Sequence, residues 1–240
     1  MPRLAAVVFG GCGALGRAVV ELLPPRDVSH VYATTRFPER EAELPKEATL
    51  VQFDAAANGS DRVDDLLPAD VAIGGAFYCV GVPSSKKLLA DTDSAECIEL
   101  MNVNCVGLLR AFRTIKQALR NGRGTLVVVS SSASRTASPT SGPYSASKVG
   151  LESLAITLAK EEAKHGVRVV VLAPSLIDSP LGNQVLARKG VSDRQAYISA
   201  QPWGRLLTTS EVAAAAVSLC YDSHWSYLSG DIVRLAANIG

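Results

Sequence analysis

Short apolar, β-rich runs alternate with longer segments of helical periodicity along most of the chain. Runs at residues 4–9, 28–34, 49–53, 71–79, 125–130, 168–172 and 231–235 read as strands, and several are apolar on both faces. Parallel strands buried between two helix layers have that pattern, whereas a strand with one wet face alternates. Helical periodicity occupies residues 14–23, 62–67, 95–121, 144–165 and 210–221. The last of these opens on Thr209, Ser210 and Glu211, residue types that cap and start helices. Strand–helix–strand alternation with right-handed crossovers predicts one α/β domain over residues 1–240, a doubly wound parallel seven-stranded sheet with helices on both faces. Its ligand belongs beyond the carboxyl ends of the strands, where the strand order reverses. Residues 175–207 fit neither period. They are polar and punctuated by Pro180, Gly182, Gly190, Pro202 and Gly204, and read as a lid over a substrate.

Composition narrows the classes. With 48% hydrophobic residues in 240, the chain has enough apolar surface for a filled core and is not a disordered segment. A formal charge of +1 leaves no basic excess to neutralise phosphates, which argues against nucleic acid as the partner. Cys12, Cys79, Cys97, Cys105 and Cys220 are odd in number and form no Cys-x-x-Cys. That spacing predicts neither a disulfide framework nor a zinc site, and fits a reducing cytoplasm. His30, His165 and His224 stand far apart, without the spacing of metal ligands. No signal peptide is expected, nor a membrane span, since no apolar run approaches the roughly 18 residues a span needs.

The first strand runs into Gly10-Gly11-Cys12-Gly13-Ala14-Leu15-Gly16, which opens the first helix. A pyrophosphate needs backbone N–H groups at a helix N-terminus and no side chains blocking its approach. Gly11, Gly13 and Gly16 satisfy one dinucleotide register, and Gly10, Gly13 and Gly16 a second. A third puts Ala14 where its middle glycine belongs. An acidic residue after the second strand would hold the adenosine ribose of NAD(H). Here that strand ends in Thr34-Thr35-Arg36, with no acid until Glu39. Arg36 can pair a 2′-phosphate bidentately, so NADP(H) is favoured over NAD(H).

Tyr144-Ser145-Ala146-Ser147-Lys148 starts an amphipathic helix just after Gly142-Pro143. Residues i and i+4 share a helix face, so phenol and ammonium can enter one cleft. A fixed cation beside a phenol lowers its pKa and fits it for proton transfer. The pair alone is a weak signal. Upstream, however, the fifth strand ends in Ser130-Ser131-Ser132, and the sixth is followed by Pro174-Ser175-Leu176-Ile177-Asp178-Ser179 at the same sheet edge.

With these residues in order, the sequence resembles a classical-size short-chain dehydrogenase/reductase over nearly its whole length. The match includes the glycine turn, Asp54, Asn104 in Val103-Asn104-Cys105-Val106-Gly107, Ser131, Tyr-x-x-x-Lys and 174–179. It continues through 205–212 to Ser229-Gly230. The resemblance implies a Rossmann fold and an NADP-dependent oxidoreductase, a carbonyl reductase or alcohol dehydrogenase acting on small molecules as a homodimer or homotetramer. It also implies roles. Tyr144 is general acid or base, and Lys148 lowers its pKa and holds the nicotinamide ribose. Ser131 holds the carbonyl oxygen, with Ser130 or Ser132 as alternatives in a shifted register. Asn104 positions a water. Gly10, Gly13, Leu15, Gly16, Arg36, Asp54, Gly81 and Pro174 line the cofactor, with Ile177 and Ser179 at the carboxamide. Residues 95–121 and 144–165 would supply the subunit contacts.

Three departures stand out. The family's Asn-Asn-Ala-Gly is Tyr78-Cys79-Val80-Gly81, so something must replace the usual asparagine in the central sheet. Its Pro-Gly is Pro174-Ser175, and its terminal Asp-Gly-Gly is Ala236-Ala237-Asn238. Trp203, in the lid, is a candidate for substrate contact, and Cys79 reads as a structural thiol. Two other functions compete. A non-catalytic NADP-binding regulator would show a damaged Ser/Tyr/Lys/Asn set, yet all four residues are present. A nucleotide-sugar epimerase or dehydratase would need a larger C-terminal substrate domain.

Overall fold

Apolar residues on both faces of each central strand leave one stable arrangement, helices packed on either side. The computed structural model describes residues 4–23, 28–37, 39, 44–45, 48–56, 67–68 and 70–237. Strands β1 (Leu4–Phe9), β2 (Val28–Thr35), β3 (Ala48–Gln52), β4 (Ile73–Tyr78), β5 (Thr125–Val129) and β6 (Arg168–Pro174) belong to one sheet. A last strand, β9 (Ile232–Leu235), completes it in the order β3-β2-β1-β4-β5-β6-β9. Every pairing is parallel. The order reverses between β1 and β4, which fixes the switch point.

Alternate residues of each strand feed opposite cores, as the two-residue period requires. Val7, Phe9, Tyr78, Leu126 and Val128 pack with Leu108 and Ile115 of α3 (Gly107–Gly122) and Leu151 and Leu158 of α5 (Gly142–Glu162), which follows the four-residue α4 (Ala133–Thr136). Ala6, Val8, Phe77 and Val127 pack with Val19 and Val20 of α1 (Ala14–Leu22) and Val212 and Ala216 of α8 (Thr209–Tyr221).

Three expectations change. The helix expected at 95–121 is α2 (Ser94–Leu100), a π-helical turn (Met101–Val106) and α3. The Gly107 N–H reaches back five residues to the Asn102 carbonyl. A Cβ on Gly107 would lie 2.5 Å from the Tyr78 hydroxyl and 2.9 Å from Ala55 Cβ, so only glycine lets this turn settle against β4. Residues 175–207, the segment expected to form a lid, are regular structure rather than loop. They carry α6 (Pro180–Arg188) and α7 (Arg194–Ser199) between the two-residue parallel strands β7 (Ile177–Asp178) and β8 (Leu207–Thr208). Leu186, Ile198 and Leu206 form its own small core. Pro180 starts α6 behind an accepting Ser179 hydroxyl, so punctuation that reads as loop marks a helix start. Finally, α8 is capped one residue earlier than expected, by a reciprocal Thr208–Glu211 box rather than by Thr209 or Ser210.

The helix expected at 62–67 lies outside the described residues apart from buried Leu67, and Asn238 lies outside them too. Among the described residues no helix is long and apolar enough to cross a membrane, and no His, Cys, Asp and Glu cluster could hold a metal. All five cysteines are free thiols.

Candidate active site

A cleft of about 480 Å³ opens at the carboxyl ends of β1, β4, β5 and β6, with the lid above it. One wall is the glycine turn. Gly10 adopts the left-handed conformation, with φ +77°. Its N–H donates to the Thr34 hydroxyl at 3.3 Å, and Gly11 N–H to the Thr34 carbonyl at 2.9 Å. A Cβ on Gly11 would lie 2.7 Å from Ala33 Cβ. One on Gly16 would lie 2.8 Å from the Gly10 carbonyl carbon and 2.9 Å from Gly11 Cα, and nearer still to the Gly10 oxygen. Helix α1 therefore starts hard against the turn. No side chain caps it, so its first amides and the positive end of its dipole face the cleft beside Leu15. This cradle has the shape and donor set that a pyrophosphate requires.

Tyr144 and Lys148 enter the same cleft from the first turns of α5. The Lys148 ammonium is buried, donates to the Val129 carbonyl at 3.2 Å, and lies 5.8 Å from the centre of the Tyr144 ring. Burial drives its pKa down to about 8, against the opposing influence of Cys79, Glu152 and Cys105. The phenol departs from expectation. Its pKa is raised by burial, and it is hydrogen bonding with Ser131 that opposes the rise. At neutral pH Tyr144 is thus a protonated donor.

The three serines divide clearly. The Ser130 hydroxyl donates to Glu152 Oε1 at 2.8 Å, beneath the sheet edge. The Ser132 amide donates to the Pro174 carbonyl at 2.8 Å and ties β5 to β6. All three line the cleft, and Ser131, between them, is the one that meets the phenol. Glu152 is a site residue the sequence reading missed. It is buried, also accepts from Ser134 at 2.6 Å, and lies 3.9 Å from Arg234. The available signal was its position, four residues beyond Lys148 on the same helix face.

Asn104 stands behind the cleft on the π-helical turn. Its Oδ1 accepts from the Val82 N–H at 2.8 Å, and its Nδ2 donates to the Val82 carbonyl and the Ser147 hydroxyl, at 3.0 and 3.1 Å. Ser147 in turn donates to the Tyr144 carbonyl at 2.7 Å. Gly81 completes the contact, since a Cβ there would lie 3.4 Å from Lys148 Nζ and 3.7 Å from Asn104 Oδ1. The missing asparagine of β4 is replaced here. The Tyr78 hydroxyl, fully buried, donates to the Val103 carbonyl at 3.1 Å and pins the turn that carries Asn104. Burial pushes this phenol far above its usual range, so it stays a donor.

Pro174, Ile177 and Ser179 line the cleft, with the Ser179 hydroxyl accepting from Gly182 N–H at 3.0 Å. Arg36 and Asp54 stand outside it, just past β2 and β3. The Arg36 guanidinium is 4.5 Å from the Phe37 ring, and Asp54 Oδ1 accepts from Ala56 N–H at 2.9 Å. Burial pushes the Cys79 thiol up to about 12, as an inert thiol requires. Trp203 is 77% exposed and does not line the cleft, whereas Tyr197 and Gln201 of the lid do.

Residues 33–235 match the family described as enoyl-(acyl carrier protein) reductase. The chain is 28% identical to the L-fucose dehydrogenase of Mus musculus, covering 90% of this chain and 82% of that one. It is 27% identical to the 3-oxoacyl-[acyl-carrier-protein] reductase of Bos taurus, covering 91% of each. Among solved structures, ElxO with NADP bound superposes with a TM-score of 0.83 at 20% identity, over 98% of this chain and 97% of that one. Fold, matched span and relatives agree: the chain belongs to the short-chain dehydrogenase/reductase family of oxidoreductases, which bind a nicotinamide cofactor.

Proposed function

We propose that the protein is an NADPH-dependent carbonyl reductase, working reversibly as an alcohol dehydrogenase, with Ser131, Tyr144 and Lys148 as its catalytic residues. The observation that carries this reading is the convergence of Tyr144, Lys148 and Ser131 in one cleft that the glycine turn and the uncapped start of α1 also line. Bound in the cleft, the cofactor supplies or accepts the hydride. The residues do the rest. Gly10, Gly13, Leu15 and Gly16 would hold the pyrophosphate against the α1 amides, Asp54 would approach the adenine, and Gly81 and Pro174 would border the nicotinamide half with Ile177 and Ser179. Lys148 holds the ribose. Ser131 donates to the carbonyl oxygen and Tyr144 gives it a proton as negative charge develops, so that charge is met by preset donors. The Lys148 ammonium stabilises the phenolate left behind. Asn104 fixes the Val82 backbone and positions a water that returns the proton.

Arg36 supports NADPH over NADH, because its cation lies beyond β2 where the ribose 2′-phosphate would fall and no carboxylate stands between β2 and Glu39. ElxO, solved with NADP bound, has the same fold. A homodimer or homotetramer is supported by exposed Ile98 and Val149 on α2 and α5. The intact Ser/Tyr/Lys/Asn set is what separates this reading from a non-catalytic NADP-binding regulator. The test is NADPH oxidation across chemically diverse carbonyls, repeated with NADH and with Tyr144→Phe. Turnover with NADPH, lost in Tyr144→Phe while cofactor binding persists, is expected. Undiminished turnover in that variant, or binding without turnover of any carbonyl, contradicts it.

A further inference from the structure

The cleft carries charge that hydride chemistry does not use. Lys86, in the segment after β4, is half-buried and lines it from one side; Lys189, closing α6, lines it from the other. Lys86 holds φ +69°, a left-handed conformation that costs a non-glycine residue energy and persists where surroundings impose it. Its ammonium donates to the Ser141 hydroxyl at 2.8 Å. Ser141 is buried and immediately precedes α5, three residues before Tyr144, and both residues line the cleft. Arg188 clamps the two walls together by donating to the Pro83 and Ser84 carbonyls at 3.3 and 2.8 Å.

Among the described residues Lys86 and Lys189 have no anion of their own. The charges that act on Lys86 are Lys189 and Arg188, both of like sign, and together with burial they depress its pKa. Glu96, the acid of that neighbourhood, accepts from the Ser85 amide and hydroxyl at 2.7 and 2.6 Å, and its charge acts on Lys87 and Arg188 rather than on Lys86. Converging like charges on a strained backbone are unfavourable unless a ligand of opposite sign completes the group. The pyrophosphate cradle at Gly10–Gly16 is a different wall and does not meet this need. The same cleft has apolar lining as well, including Leu176, Leu181 and Val185.

Resting on the reductase reading, we infer that the substrate is an anionic carbonyl compound, whose carboxylate or phosphate pairs with Lys86 and Lys189 while its carbonyl faces Tyr144. The test uses matched pairs with NADPH: 4-oxopentanoate and 6-oxoheptanoate against their methyl esters, and dihydroxyacetone phosphate against dihydroxyacetone. The charged member is expected to lead its neutral partner at least tenfold in kcat/KM, with the carboxylate and phosphate arms telling which anion fits. In Lys86→Met and Lys86→Met/Lys189→Met that ratio falls toward one, and a ratio cancels any general loss of active enzyme. Neutral partners turned over as well as charged ones, or a preference that survives both variants, overturns the inference. If no carbonyl is turned over, the reductase reading fails by itself. Calorimetric titration of the same compounds into the NADPH-saturated protein then decides this one. Binding of the anions that requires Lys86 upholds it, and equal binding, or none, of acid and ester overturns it.

Discussion

Tyr78→Phe isolates one hydrogen bond. The ring stays in place against Phe9, 6.2 Å between centroids, so only an oxygen is removed and no cavity of side-chain size opens. What is lost is the 3.1 Å bond from the buried hydroxyl to the Val103 carbonyl, on the turn that carries Asn104. Such a bond contributes about 1 kcal/mol net, and closer to 2 when its carbonyl is left buried without that donor. At about 2 cal/mol/K per residue, unfolding a domain of 240 residues carries an entropy of about 0.5 kcal/mol/K, so the melting temperature should fall by about 2–4 °C. Tyr78→Asn, which restores the family's usual residue, also deletes a buried ring. It should cost about 3–5 kcal/mol, or about 6–10 °C. Thermal unfolding of the three proteins by circular dichroism reads both. An unchanged or higher melting temperature in Tyr78→Phe would refute the idea that this phenol pins the turn, as would Tyr78→Asn behaving like the wild type.

Three further outcomes are expected. Lys148→Met should abolish turnover yet melt higher than the wild type at pH 7. The folded-state pKa near 8, lowered from 10.5, means the buried charge carries a penalty that is fully present below about pH 8. The penalty, on the order of 3 kcal/mol, disappears as pH rises toward the unfolded value, so the gap between the two proteins should narrow across that window; a gap independent of pH contradicts the assignment. Gly16→Ala should lose measurable NADPH binding in a fluorescence titration or fail to fold, because its Cβ meets backbone atoms of Gly10 and Gly11 that cannot give way; normal binding would show that α1 does not start where described. Arg36→Asp should shift the NADPH/NADH ratio of kcat/KM at least about tenfold toward NADH, the size of one charge-assisted hydrogen bond, and an unmoved ratio removes Arg36 from cofactor choice.

The sheet was legible because burial on both faces leaves its mark in every residue of β5 and in all but one residue each of β1, β4 and β6. The glycine turn and the Tyr144–Lys148 pair were legible because local spacing alone sets their geometry. What periodicity could not show was set by distant contacts. The break at 101–106 depends on Tyr78 and Ala55 pressing on Gly107 from another element, and helical spacing runs through it without interruption. The lid resembled a loop because its prolines and glycines start and end short helices whose core is three residues. Which of three adjacent serines faces the phenol is decided by Glu152, a partner 22 residues beyond Ser130. The phenol's raised pKa follows from burial, which no spacing rule reports.

Hydride transfer to a carbonyl carbon at Tyr144 is followed atom by atom in the reduction of a turned-over carbonyl with NADPH deuterated on one face of nicotinamide C4, with the product read by mass spectrometry and NMR. One deuterium on the carbinol carbon, from one face of the cofactor only and absent with Tyr144→Phe, is the predicted result. NADPH oxidation without deuterium in the product, or the same labelled product formed at full rate by Tyr144→Phe, would contradict it.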